Sequence, residues 1–194
     1  LNISKPLVII GEGALPNQQS AYPTSFRYVS LNADGTTSNA SGTKIFGLKA
    51  DVIQIFGNGF GNFVGNVTIS RCYIGSLCPS ARDYTCCYYL NSDKVSSNNF
   101  FYNNIIGYIS GYYFGEYYAT SVRNSIISNN IIGGMYLHEI DYLGASTSNI
   151  ISNNFFIASY GAAMGSRIFT TGGLFTNNII YSGFDFSANA SCTF

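Results

Sequence analysis

Residues 124–133 read Asn124-Ser-Ile-Ile-Ser-Asn-Asn-Ile-Ile-Gly133, and this phrase decides how the rest of the chain is read. It returns at 148–157 as SNIISNNFFI and at 172–181 as GGLFTNNIIY. It stands earlier at 98–107 as NNFFYNNIIG, and in worn form at 66–75 as NVTISRCYIG. Successive starts are 32, 26, 24 and 24 residues apart. A phrase recurring at a period of about 20–50 residues marks a repeat architecture.

The phrase has strand chemistry. Its apolar residues are mostly β-branched or aromatic, types that suit a pleated, packed surface. Asn tolerates the left-handed backbone region better than other residues with a Cβ, so the Asn pair predicts a bend between two short strands. A helix is excluded: the Asn pair lowers helix propensity, and no 3.6-residue apolar stripe continues beyond the phrase.

Aligning the copies produces columns. Ile69, Phe101, Ile127, Ile151 and Phe175 form one, and Ile74, Ile106, Ile132, Phe156 and Ile180 another. In a parallel solenoid, like residues lie about 4.8 Å apart along the axis, and these columns make a continuous core. Asn103, Asn129, Asn153 and Asn177 align, as do Asn104, Asn130, Asn154 and Asn178. Both Asn columns are expected to be amide ladders, each amide donating to one coil and accepting from the other.

The ISNN-I-I phrase at a period near 24 resembles the right-handed parallel β-helix superfamily, the pectate-lyase-like fold. It is also similar to the β-helix repeats of periplasmic copper-maturation and carbohydrate-active proteins. The opening Ile3-Ser-Lys-Pro-Leu-Val-Ile-Ile-Gly-Glu-Gly13 resembles the first coil of many secreted β-helix proteins. The resemblance implies an all-β chain, a single-stranded right-handed parallel β-helix (β-solenoid), over all 194 residues as one domain. Function is not implied, because this fold carries lyases, hydrolases, adhesins and inert fibres.

Composition narrows the partners. Charged residues are 9% of the chain and the formal net charge is zero. From residue 95 onward the only Lys or Arg side chains are Arg123 and Arg167, which argues against a nucleic-acid partner. No run approaches about 18 apolar residues, so no transmembrane helix is expected. The chain starts at Leu1, inside what reads as an ongoing strand, and is expected to be a mature or trimmed product.

Two stretches interrupt the repeat. Residues 14–43 contain Pro16 and Pro23, then a polar Asn/Ser/Thr/Gly run, and are read as a loop excursion. Residues 76–97 account for the 32-residue spacing and are read as a second excursion. Cys72, Cys78, Cys86, Cys87 and Cys192 lack a CxxC pair with nearby His, which disfavours zinc. Disulfides among them would pin the second excursion; buried thiols are the alternative. Tyr136, Tyr160 and Phe184 fall 24 residues apart and are read as an aromatic column.

Strand side chains alternate, so inward Ile127 and Ile132 place Ile126 and Ile131 outside. The outward stripe is then Phe100, Ile105, Ile126, Ile131, Ile150, Phe155, Leu174 and Ile179. Such a stripe is a partner site, a surface covered by a loop such as 14–43, or a sign that one strand is reversed.

Catalytic candidates are sparse. His138 is the single His, beside Glu139 and Asp141, and neighbours on one strand point to alternating faces. Asp51, Arg71, Arg82 and Asp83 are the group that would matter for sugar chemistry if the excursions met on one face. Gly57-Asn-Gly-Phe-Gly-Asn62 lacks a third Gly at the right place, and the following helix, of a dinucleotide loop. No catalytic residue, cofactor or metal site is assigned. The expectation is a self-associating fibre, filament or adhesin subunit, extracellular, cell-surface or virion-associated. Its partners would be copies of itself, lateral or end-to-end. The alternative is a carbohydrate-active enzyme or sugar-binding β-helix with a polysaccharide partner. Membrane insertion is not expected.

Overall fold

A computed structural model describes residues 1–13, 23–33, 39–57, 64–82, 96–109, 111–113, 116–118, 122–138, 149–157, 166–170, 173–181 and 184–188. These residues form an all-β solenoid with no helix among them. Parallel strands stack into two main sheets.

The short sheet has seven strands of three residues each: Val8–Ile10, Lys44–Phe46, Thr68–Ser70, Phe100–Tyr102, Ile126–Ser128, Ile150–Ser152 and Leu174–Thr176. Each pairs in parallel with the next, in unbroken register. The long sheet runs through Asn2–Ile3, Ser25–Leu31, Lys49–Gly57, Tyr73–Arg82, Ile105–Ile109, Ile131–His138, Phe155–Phe156 and Ile179–Ile180. Ser166–Thr170 pairs with the far end of Ile131–His138, and Phe184–Ala188 pairs with Ser166–Thr170. Gly111–Tyr113 and Glu116–Tyr118 pair antiparallel as a separate two-stranded sheet, with Gly111–Tyr113 lying beside Tyr73–Arg82.

The inward columns are as aligned from the sequence. Ile69, Phe101, Ile127, Ile151 and Phe175 pair strand to strand and are buried. Ile74, Ile106, Ile132 and Phe156 do the same in the long sheet. Ile180 ends that column at 36% exposure, because no further described strand covers it.

A five-residue unit underlies each coil. A left-handed residue turns the chain, the next residue points inward, and three strand residues follow. Asn66, Asn98 and Asn124 turn into the short sheet, and Arg71, Asn103, Asn129, Asn153 and Asn177 turn out of it, all at φ between 48° and 57°. Gly42 and Gly47 take these two positions one coil earlier. The coil at 42–51 therefore belongs to the repeat although it contains no Asn-Asn. Gly-Thr and Gly-Leu supply the same backbone, Gly by lacking a Cβ.

Three expectations are corrected. Residues 14–43 are not one excursion: Ser25–Leu31 lies between Asn2–Ile3 and Lys49–Gly57 in the long sheet. Its polar residues at alternate positions disguised a half-exposed strand. Residues 76–97 contain the continuation of Tyr73–Arg82, so that excursion begins no earlier than residue 83; 83–95 lie outside the described residues. Pro79 sits where the register against Lys49–Gly57 shifts between Gln54 and Phe56, a bulge that accommodates a residue without an N–H. Finally, Tyr136 aligns with Arg167 and Arg167 with Asp185, whereas Phe184 aligns with Ser166. Tyr136 and Phe184 therefore do not share a column. Tyr160 lies outside the described residues.

Candidate functional site

The corner between the two sheets combines a rigid polar interior with an apolar exterior. Inside, Asn104, Asn130 and Asn154 are buried at 2% exposure each. Asn130 Oδ1 accepts the Asn104 backbone N–H at 2.9 Å and Asn104 Nδ2 at 3.0 Å. Asn130 Nδ2 donates to Asn154 Oδ1 at 3.0 Å and to Phe101 O at 2.9 Å. Asn154 repeats the pattern toward Asn178 and Ile127 O, and Asn178 Nδ2 ends it on Ile151 O. The ladder begins at Cys72, whose N–H donates to Asn104 Oδ1 at 3.0 Å. Amides that both donate and accept let a buried polar column remain satisfied without water.

Asn103, Asn129, Asn153 and Asn177 were expected to form a second ladder and do not. They are exposed, left-handed corner residues, and no side-chain bond joins them to one another. Each Asn of the pair has a separate duty: the first supplies backbone freedom, the second an inward amide. A second ladder does exist at the other corner. Val67 N–H donates to Asn99 Oδ1, Asn99 N–H to Ser125 Oγ, and Ser125 N–H to Asn149 Oδ1, at 3.0–3.1 Å. Buried Ser96 adds to it by accepting from Asn99 Nδ2 at 2.8 Å and donating to Val64 O at 2.7 Å. Asn99, Ser125 and Asn149 share a column of the repeated phrase, so the signal was present but carried by mixed residue types.

Outside the corner, the apolar stripe faces solvent as two columns on two sheets. Phe100, Ile126, Ile150 and Leu174 lie on the short sheet, with Phe100 at 41% and Leu174 at 40% exposure. Ile105, Ile131, Phe155 and Ile179 lie on the long sheet, with Ile131 at 42% and Ile179 at 64%. Ile126, Ile150, Ile105 and Phe155 are half-buried by their neighbours. A polar ridge of Ser128, Ser152, Thr176 and the corner Asn residues divides the columns. At one end the columns change character. The short-sheet column continues through Thr68 to Lys44, and the long-sheet column through Tyr73 to Lys49. Arg71 stands at the corner between them, in the position that Asn103 takes one coil later. Among the described residues no carboxylate pairs with Lys44, Lys49 or Arg71. Lys49 Nζ lies 5.9 Å from the Tyr73 ring centroid, and the Arg27 guanidinium 5.5 Å from that of Tyr28.

Cys72 and Cys78 are buried thiols, which removes both from the expected disulfides; Cys86, Cys87 and Cys192 lie outside the described residues. The Cys72 sulfur donates to Ser70 O at 3.2 Å. Burial pushes its pKa up from 9.0 to about 11, with backbone hydrogen bonds opposing the shift. That thiol has no thiolate character near neutrality and is not a nucleophile.

Neither catalytic candidate group is assembled by the described residues. Asp51 shares the outward Gly75 position of the long sheet, while Arg71 lies at the corner four positions away along its own coil. For Arg82 only the backbone is described, and Asp83 lies outside, as do Glu139 and Asp141. The strand Ile131–His138 ends at His138, of which the backbone alone is described. No group of three or more metal-ligating side chains occurs among the described residues. No described helix is long and apolar enough to cross a membrane. No family model, curated protein or solved structure matches the chain.

Proposed function

We propose that the chain is a structural solenoid that assembles with copies of itself, as a fibre, filament or adhesin subunit on an exported or cell-surface structure. A virion surface suits the same chemistry. We read the winding as right-handed, as parallel crossover connections nearly always are, and the pectate-lyase-like resemblance as one of architecture. The observation that carries the proposal is the pair of outward apolar columns, each kept in strict register by the ladders beneath it. A solvent-facing apolar row of that regularity is a contact surface.

The magnitude favours an extended assembly over an isolated dimer. Four apolar rows at about 4.8 Å, on strands about 10 Å long, give a face on the order of 200 Å². A stable pairwise interface needs about 800 Å² per partner. One face alone binds weakly, and a second face gives each copy a contact of similar strength with a further neighbour, so assembly grows with concentration.

The second reading is a sugar-binding or carbohydrate-active solenoid, favoured by Tyr28 and Tyr73, both exposed. A cation already lies over each ring, however, which leaves at most one face of each for a sugar. Sedimentation across a concentration series, with electron microscopy of the same samples, separates the readings. Concentration-dependent oligomers or filaments support self-assembly. A dispersed monomer at every concentration overturns it and moves the test to polysaccharide screening.

A further inference from the structure

We infer that the copies pack with their solenoid axes antiparallel; this rests on the self-assembly reading and specifies its geometry. Charge is distributed unevenly along the two outward columns. Four consecutive short-sheet positions are apolar, Phe100, Ile126, Ile150 and Leu174, and the column then passes through Thr68 and Lys44 to Val8 at the sheet edge. The long-sheet column is apolar from Tyr73 to Ile179, and beyond Tyr73 it passes through Lys49 to Ser25. Arg71 adds a third cation in the same two-coil band, against one exposed carboxylate, Asp51, and among the described residues no carboxylate pairs with any of the three. The apolar rows thus run into a band of net positive charge at one end only.

Rows on any two copies share the same strand spacing, so the side chains of one can sit between those of another in either direction. Charge separates the two directions. With parallel axes in register, Lys44 faces Lys44, Lys49 faces Lys49 and Arg71 faces Arg71 across a surface that excludes water. Like charges opposed across an interface are strongly disfavoured. With antiparallel axes, a two-fold between the Ile126 and Ile150 rows pairs Phe100 with the second copy's Leu174 and Ile126 with its Ile150. Both cationic bands then overhang the contact at opposite ends, where water solvates them. That contact is isologous: the same patch serves on both copies. Because the two columns lie on different sheets, each can make its own two-fold contact, and successive contacts build an open assembly without polarity.

Cysteine probes on the exposed rows test the direction. Phe100→Cys and Leu174→Cys are prepared singly and as a mixture, oxidised briefly, and the linked peptides identified by mass spectrometry, with the unsubstituted chain as background. Ile126→Cys with Ile150→Cys serves as a second pair, so that a fold defect in one variant does not decide the result. Cross-linking in the mixtures at least tenfold above that of either single variant is the expected outcome. Efficient linking of Leu174→Cys to itself overturns the antiparallel arrangement while leaving self-assembly standing. Oligomers with no link at any of these positions place the contact elsewhere and overturn it too. A chain that sediments as a monomer overturns the self-assembly reading itself, and the antiparallel arrangement with it.

Discussion

Replacing Asn130 by Ala tests the physical reading of the ladder most directly. The Asn130 side chain makes four hydrogen bonds: two accepted from Asn104 and two donated, to Asn154 Oδ1 and Phe101 O. Asn154 Oδ1 still receives the Asn130 N–H at 3.0 Å, and Asn104 Nδ2 still donates to Ile69 O at 2.9 Å. The Asn104 N–H keeps nothing and lies in a site 2% exposed. A stranded buried donor costs about 1–3 kcal/mol, and each of the other lost bonds about 1 kcal/mol net. The expected loss is therefore about 4–6 kcal/mol. Asn129→Ala, one residue away, removes no ladder bond and costs only the left-handed penalty of about 1–2 kcal/mol. Urea unfolding followed by circular dichroism measures both. Amide exchange at residue 104 localises the damage, which matters because a repeat array can open coil by coil. Equal losses at the two positions, or a loss below about 1 kcal/mol at Asn130, would refute the division of labour within the Asn pair.

Other consequences can be checked in parallel. Asn178→Ala should cost less than Asn130→Ala, by about 1–2 kcal/mol in the same urea assay, because Asn178 is only part-buried and ends the ladder. Gly107→Ala should destabilise by about 2–4 kcal/mol, since its Cβ would lie 2.5 Å from Gly75 O, whereas Gly42→Ala meets little beyond its own backbone preference; thermal melts rank the pair. Cys72 keeps its proton to about pH 11 in the folded chain and loses it near 9.0 when unfolded. Its contribution to stability is intact below pH 9 and declines by about 1.4 kcal/mol per pH unit between 9 and 11, so the unsubstituted chain should lose stability more steeply than Cys72→Ala by that amount in alkaline urea titrations. The double variant Ile126→Lys/Ile131→Lys should keep its strand signal while its association constant falls at least tenfold by sedimentation, since both residues face outward.

The repeat made much of the fold legible. Ile127 and Ile132 fixed two core columns, because β-branched pairs around a bend have one strand reading and a one-residue slip would have turned them outward. The coil at 42–51 was harder to see, because Gly47-Leu48 replaces Asn-Asn and only the backbone conformation is kept. Ser25–Leu31 was hidden by its own polar alternation. The two roles within Asn129-Asn130 could not be separated by residue type, since one amide turns outward and the other inward at adjacent positions. Beyond the Asn corner the 24-residue spacing misled: after Tyr136 the pairing partner lies 31 residues on, at Arg167, and the next 18 further, at Asp185. The outward columns followed from alternation alone, but the cations at one end of them became a feature only once Lys44 and Lys49 were placed in the same register.

The ladders have a consequence for how such a chain can change in length. Asn104, Asn130 and Asn154 each reach for the same atom on the next turn and ask nothing of turns further away. If 124–147 were excised, 148–157 would arrive in the place of 124–133, and Asn154 could offer Asn104 the same acceptor that Asn130 now offers. Length is therefore counted rather than tuned: the molecule can grow or shrink by whole turns of about 4.8 Å with its chemistry unaltered. An insertion of any other size has to leave through a loop.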